Sequence, residues 1–208
     1  MTLTQVADID FPTRWAHFRL MGFEGLDSAP GAKIKPPESA LALVLGDIYS
    51  SPAVVRIHSQ CMTGDVFHSM RCDCQDQLHL ALRVIAEEGA GVLLYEHQEG
   101  RGIGLMEKLR AYALQDQGRD TIEANLELGH AVDLRNYRLP VEILRFLHVR
   151  SVRLMTNNPE KMDAVAASGI EIAERLSAEV PGSLYSMHYL NTKREKLGHI
   201  SDLAIQLR

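Results

Sequence analysis

The sequence predicts an α/β fold with α+β character: a mixed sheet with flanking helices in a single domain. Three observations predict it. Short apolar runs alternate with stretches whose apolar residues recur every three or four positions, as strands alternate with helices. Glycines close several of the helical stretches, where a chain leaving a helix turns left-handed. The first twenty-five residues mix apolar and polar positions as short strands do, which adds an antiparallel part near the N-terminus.

Taken in order, GLDSAPGAKIKPPE (residues 25–38) is rich in Gly, Pro and Ser and reads as a loop. ALALVLGDI (40–48) and AVVRIHS (53–59) read as strands. DQLHLALRVIAEEG (76–89) carries Leu78, Leu82, Ile85 and Ala86 on one helical stripe, with Gly89 as its cap. GVLLYE (91–96) is apolar without a break and reads as a buried strand. The turn EGRGIG follows, then a helix over LMEKLRAYALQDQG (105–118) ending at Gly118. VEILRFLHV (141–149) reads as a helix and SVRLMT (151–156) as a strand. NNPEKMDAVAASG (157–169) has an Asn cap, Pro159 in the first turn and Gly169 at the end. IEIAERL reads as a further strand, and from Ser177 onward no pattern dominates.

With 208 residues, 46% of them apolar and 24% charged, the chain is long enough to bury a core. No apolar run reaches the roughly eighteen residues a membrane helix needs, so no membrane partner is expected. The N-terminus lacks a basic segment followed by an apolar one, so no secretory signal is read and the cytoplasm is the expected compartment. A net charge of −5 argues against nucleic acid as a partner. A small polyanion remains compatible if cations gather in one cleft.

All three cysteines, Cys61, Cys72 and Cys74, lie in CMTGDVFHSMRCDC. An odd number in a reducing compartment disfavours a disulfide. In an extended turn Cys72 and Cys74 point the same way, and the ten-residue loop can return Cys61 to them. Three thiolates suit a catalytic zinc with an open fourth position; His58 or His68 would close the site and make it structural. Unmetallated cysteines are the third reading. His97-Gln98-Glu99 fits the H-x-E of zinc nucleobase deaminases, but their P-C-x-x-C is absent.

RIHSQCMTGDVFHSMRCDC, HQEGRGIGLMEKLRAYALQDQG, DTIEAN and TNNPEK, in that order and spacing, resemble GTP cyclohydrolase II from about Val54 to Ile172, with fainter agreement at FPTRW and YLNTKREKLGH. The resemblance implies a zinc- and magnesium-dependent homodimer. It opens the imidazole ring of GTP and releases formate and pyrophosphate, giving a diaminopyrimidine that starts riboflavin synthesis. By position, Cys61, Cys72 and Cys74 become the Zn2+ ligands. Arg56, Ile57, His58, Ser59, Gln60, Gln77, Glu99, Gly100, Arg101, Thr121, Thr156 and Lys161 become the GTP site. Asp133 matches the proton acceptor, Arg135 the nucleophile and Tyr112 a tyrosine near the zinc-bound water. Residues 1–50 are too few for the second riboflavin-pathway domain fused to some members. The family's CDC triplet is usually followed by Gly, here by Gln75, which would be strained if that position needs a positive φ.

The chemistry supports specific roles. A zinc-held hydroxide attacks guanine C8 near neutral pH, and Tyr112 orients it or gives a proton to the opening ring. A carboxylate such as Glu99 accepts from the two donors on guanine's Watson–Crick edge. Arg56, Arg101, Arg135 and Lys161 supply cations for the triphosphate. Asp65 is a candidate ligand for Mg2+. A guanidinium is a poor nucleophile, so Arg135 either attacks the α-phosphorus after losing a proton to Asp133 or only stabilises charge there. A paralogue that stops at a formylated product, and a zinc module without activity, are the competing functions.

Overall fold

The computed structural model describes residues 1–26 and 37–201, so most of the loop read at 25–38 lies outside the described residues. Strands β1 (Thr2–Pro12) and β2 (His17–Leu26) form an antiparallel hairpin. They are longer than the short strands expected. Thr13 closes the turn, its Oγ1 accepting from the Trp15 and Ala16 amides. β3 (Glu38–Leu45) and β4 (Ala53–Ser59) follow, then α1 (Met62–Asp65), α2 (Cys74–Glu88) and β5 (Gly91–Glu96). A tight turn over Glu99–Gly102 leads to α3 (Leu105–Gln115), α4 (Thr121–Glu127), α5 (Arg138–Phe146) and β6 (Ser151–Met155). The chain closes with α6 (Pro159–Ala167), β7 (Glu171–Leu176) and α7 (Met187–Lys196). Three of these helices, α1, α4 and α7, carry no helical expectation from the sequence.

The seven strands form one sheet in the order β1-β2-β3-β5-β4-β6-β7. β1, β2, β3 and β5 pair antiparallel; β5, β4, β6 and β7 pair parallel. The mixed α/β architecture is therefore as expected. Strand alternation divides the core between the two faces. Val55, Ile57, Val92 and Leu94 pack toward Leu139, Ile143, Leu144 of α5 and Val165 of α6. Val54 and Leu93 pack on the other face with Ala81 and Ile85 of α2.

Local signals explain the helix ends. Gly89 caps α2 at φ 69, as expected. Asn158 caps α6 by accepting from the Glu160 amide, and Pro159 stands at its first position. α5 starts three residues earlier than the sequence suggests, because Pro140 falls in its first turn, where no amide is needed. Among the described residues no helix is long and apolar enough to cross a membrane.

Topology places the site. From β4 the chain runs through α2 to β5 on one side; from β6 it runs through α6 to β7 on the other. The crevice beyond the carboxyl ends of β4 and β6 is where open α/β sheets bind ligands. Two buried side chains bridge that point: Arg56 Nη1 donates to Met155 O at 3.1 Å, and Lys161 Nζ to Ile57 O at 2.8 Å.

Candidate active site

The loop from β4 to α2 carries the three cysteines. Their sulfurs lie within 4.8 Å of one another, with Cys61 Sγ and Cys72 Sγ 3.7 Å apart, and no disulfide forms. Cys72 and Cys74 do not converge through an extended segment. Asp73 is the cap of α2 and Cys74 its first residue, so a turn entering the helix brings the two thiols together. Gly64 is needed beneath them, because a Cβ there would stand 2.9 Å from Cys72 Sγ and 3.2 Å from Cys61 Sγ. Gln75 lies in the first turn of α2 and is not among the residues with positive φ, so the expected strain is absent.

The charges of this trio fit a bound cation. Hydrogen bonds from Cys72 and then Cys74 lower the Cys61 thiol. The Cys61 neighbour pushes Cys72 up to about 11, and Cys74 lies well above its ordinary value for the same reason. One thiolate is thus tolerated and three are not, unless a metal ion compensates them. No His, Asp or Glu joins the group among the described residues, so three protein ligands leave a fourth position open. His58 does not close it, since His58 Nε2 pairs with Asp65 Oδ1 at 3.2 Å.

Asp65 is turned into the protein. Its Oδ2 accepts from Tyr95 Oη at 2.8 Å and from the Cys61 amide at 2.9 Å. With both oxygens engaged and the side chain 4% exposed, it braces the cysteine loop and does not face a triphosphate.

Around the thiols lies a cleft of about 1100 Å³, including its mouth. It is lined by Arg56, His58, Ser59, Gln60, Gln77, Glu99, Gly100, Arg101, Tyr112, Thr121, Arg135, Thr156 and Lys161, together with the cysteines. Besides Asp65, two expected residues are not in its wall. Ile57 alternates to the opposite face of β4 and is 1% exposed in the core, so it contributes only its carbonyl, to Lys161. Asp133 lies behind Arg135, whose Nε bonds both its oxygens at 3.0 and 3.1 Å.

That pair is tightly charged. Burial acts against the Arg135 cation, but Asp133 outweighs it and holds the guanidinium above its ordinary value. Burial raises the Asp133 carboxyl, but Arg135 outweighs that too and holds it below the usual range. Proton transfer between them is thereby opposed from both ends.

The turn after β5 is strained. Gly100 and Arg101 both take left-handed backbone angles, φ 61 and 59. The Arg101 conformation is costly for a residue with a Cβ, and such strain collects at functional sites. Both Arg101 Nη atoms are buried and have no hydrogen-bond partner among the described residues. A buried guanidinium without a partner is a site for an anion.

The Glu99 carboxylate is engaged by the protein on both oxygens. Oε1 accepts from Lys108 Nζ at 2.7 Å and the Gly100 amide at 3.1 Å; Oε2 accepts from the Met62 amide at 2.7 Å. Lys108 in turn donates to Cys61 Sγ at 3.0 Å and Thr63 Oγ1 at 2.9 Å. Thr63 Oγ1 is 3.5 Å from Tyr112 Oη. The Tyr112 ring lies 4.6 Å from the Arg71 guanidinium, and burial raises its hydroxyl.

Sequence reasoning missed Lys108, although it lies one helical turn before Tyr112 and therefore on the same face. It also missed Arg71, Gln98, Asn125, Asn157, Tyr189, Lys193 and His199, which all line the cleft. Seven basic side chains line it, namely Arg56, Arg71, Arg101, Lys108, Arg135, Lys161 and Lys193, although burial and the neighbouring Arg56 and Arg135 lower the Lys161 ammonium, and Glu99 is the one carboxylate in the lining among the described residues. A chain of net charge −5 thus concentrates positive charge in one crevice.

Fold and site together define a class: an α/β protein in which a cluster of three cysteines able to hold a metal ion opens on a cleft lined by basic side chains. The family described as GTP cyclohydrolase II matches residues 4–177. The GTP cyclohydrolase-2 of Histophilus somni (strain 2336) is 50% identical over 195 residues, 93% of this chain and 87% of that protein. That of Klebsiella pneumoniae (strain 342) is 48% identical over 201 residues, 96% of each chain. A crystal structure of a two-domain 3,4-dihydroxy-2-butanone 4-phosphate synthase from A. baumannii aligns at TM-score 0.41 and 19% identity, over 85% of this chain and 40% of that one. The chain belongs to the GTP cyclohydrolase II family and is an enzyme, a hydrolase.

Proposed function

We propose that this enzyme hydrolyses GTP, opening the guanine imidazole ring at C8 with release of formate and pyrophosphate and leaving a diaminopyrimidine for riboflavin synthesis. One observation carries the reading: three clustered thiols, with no fourth protein ligand among the described residues, stand at the wall of a cationic cleft that holds a guanidinium whose Nη atoms lack hydrogen-bond partners there. Cys61, Cys72 and Cys74 hold the zinc. When bound, zinc supplies the Lewis acidity that makes water a nucleophile near neutral pH.

The remaining work falls to side chains. Arg101, Lys161 and Thr156 bind the triphosphate, with Thr156 and Lys161 flanking the start of α6, where the helix dipole favours an anion. Arg135 stabilises charge at the α-phosphate, and Asp133 orients it; the mutual reinforcement of their charges favours this over a covalent role. Tyr112, with Thr63 and Lys108 beside it, directs the proton traffic of ring opening. Glu99 acts by holding Lys108 and the Met62 amide, not by reading guanine. Mg2+ accompanies the triphosphate, as hard cations bound to phosphate oxygens do. A single domain, assembly as a homodimer and a cytoplasmic location complete the reading.

Incubation of the zinc-loaded protein with GTP tests it by following formate, pyrophosphate and pyrimidine together. The expected result is all three in equal amounts. A formylated pyrimidine without formate would replace this reading with a partial reaction, and intact GTP would refute both.

A further inference from the structure

The family match ends at residue 177, but the cleft does not. Tyr189 and Lys193, one turn apart on α7, and His199 beyond it also line the wall. What fastens this segment is polar. Lys193 Nζ donates to Asp73 Oδ1 at 2.7 Å, and Lys196 pairs with Asp120. The Ile200 amide donates to Asn157 O at 2.9 Å, and Asn157 Nδ2 donates back to Ile200 O at 2.6 Å. Each anchor belongs to the rim of the cleft. Asp73 separates two of the cysteines, Asp120 caps the helix that begins at Thr121, and Asn157 adjoins Thr156.

Inside the cleft the segment adds to the same charge pattern. The Tyr189 ring lies 5.7 Å from the Arg101 guanidinium and 4.4 Å from the Lys193 ammonium. An ammonium has three donors, and Asp73 takes one of Lys193's. The Lys193 side chain is 14% exposed, so its charge is little screened by water. Burial, with Lys193, Arg135 and Arg101 nearby, keeps the His199 imidazole neutral and able to donate a hydrogen bond.

We infer that residues 187–201 form the closing wall of the substrate cleft and that Lys193 binds the triphosphate of the nucleotide. The inference rests on the reading of the cleft as a GTP site. In the nucleotide-free protein, Asp73 holds Lys193 in position; with nucleotide, the ammonium bridges Asp73 and a phosphate oxygen.

The test measures calorimetric affinity of the zinc-loaded full chain for GMP and for a GTP analogue with a methylene bridge between the α and β phosphates. Zinc content is measured beside it. Lys193→Met is expected to lower the ratio of triphosphate to monophosphate affinity at least tenfold with zinc retained, and Lys193→Arg to keep most of that ratio. An unchanged ratio would overturn the inference. So would equal weakening of both ligands with loss of zinc, which would assign Lys193 to supporting the cysteine loop through Asp73. If the unmodified protein binds neither nucleotide, the GTP reading itself fails, an outcome separate from a change in the ratio.

Discussion

Replacing Lys108 by Met tests whether the buried Glu99–Lys108 pair supports the metal centre. The two side chains are 8% and 10% exposed and 2.7 Å apart, so solvent screens them little. Removing one partner of a buried pair costs about 3–5 kcal/mol, because the other charge stays buried. Glu99 would still accept from the Met62 and Gly100 amides, which points to the lower end, about 3 kcal/mol. For a chain of this size that corresponds to a fall of roughly 6–12 °C in melting temperature. The lost donor to Cys61 Sγ adds a second effect, a weakening of zinc binding by about 10–100-fold, typical of outer partners of metal ligands. Urea and thermal unfolding of the metal-free protein measure the first effect, and competition with a chelator the second. Lys108→Met combined with Glu99→Gln should recover part of the lost stability, since the Glu99 charge is then no longer left alone while Cys61 still lacks its Lys108 donor. A loss under about 1 kcal/mol, or a double variant as unstable as the sum of the singles, would refute the reasoning.

Cys72→Ser is expected to abolish formate production and lower bound zinc below one per chain, as metal analysis would show. Gly64→Ala should do nearly the same without touching a ligand, because its Cβ would crowd the Cys72 and Cys61 sulfurs at 2.9 and 3.2 Å. Arg135→Lys should keep much of the pyrophosphate release if the cation only stabilises charge; complete loss with nucleotide binding intact would favour covalent attack. Burial raises Glu96 to about 7 from 4.5, against the opposing pull of Lys161 and Arg135. The folded protein therefore holds this proton more tightly than the unfolded chain. Stability contributed by Glu96 is full below pH 4.5 and falls as pH rises through about 7, by about 3 kcal/mol in all. Glu96→Gln should flatten that part of the melting-temperature profile.

Much of the fold was legible because its signals are local. β5 is a nearly unbroken apolar run, β4 and β6 are short stretches dominated by β-branched and aliphatic residues, and the ends of α2 and α6 carry their own capping residues. The missed α4 also had a local signal: Asp120 and Glu123 form a reciprocal capping box, readable in DTIE. α7 had none, since MHYLNTKREK shows no apolar stripe and is fastened by ion pairs to distant residues. The site divides the same way. The cysteines and most of the cleft residues were found from the motifs that carry them. The tasks of Glu99, Asp65 and Lys108 were not, because each depends on a partner supplied by tertiary structure. Lys108 meets Cys61 across 47 residues, and Lys193 meets Asp73 across 120.

The central claim is that the three-thiolate centre and the cationic cleft act together on guanine C8. Release of labelled formate from GTP carrying carbon-13 at C8 tests it most directly, with the protein stripped of metal by chelator and then reloaded with zinc. The account predicts labelled formate from the zinc-loaded protein, none from the stripped protein, and recovery on adding zinc back. Formate release undiminished by complete removal of the metal would contradict it.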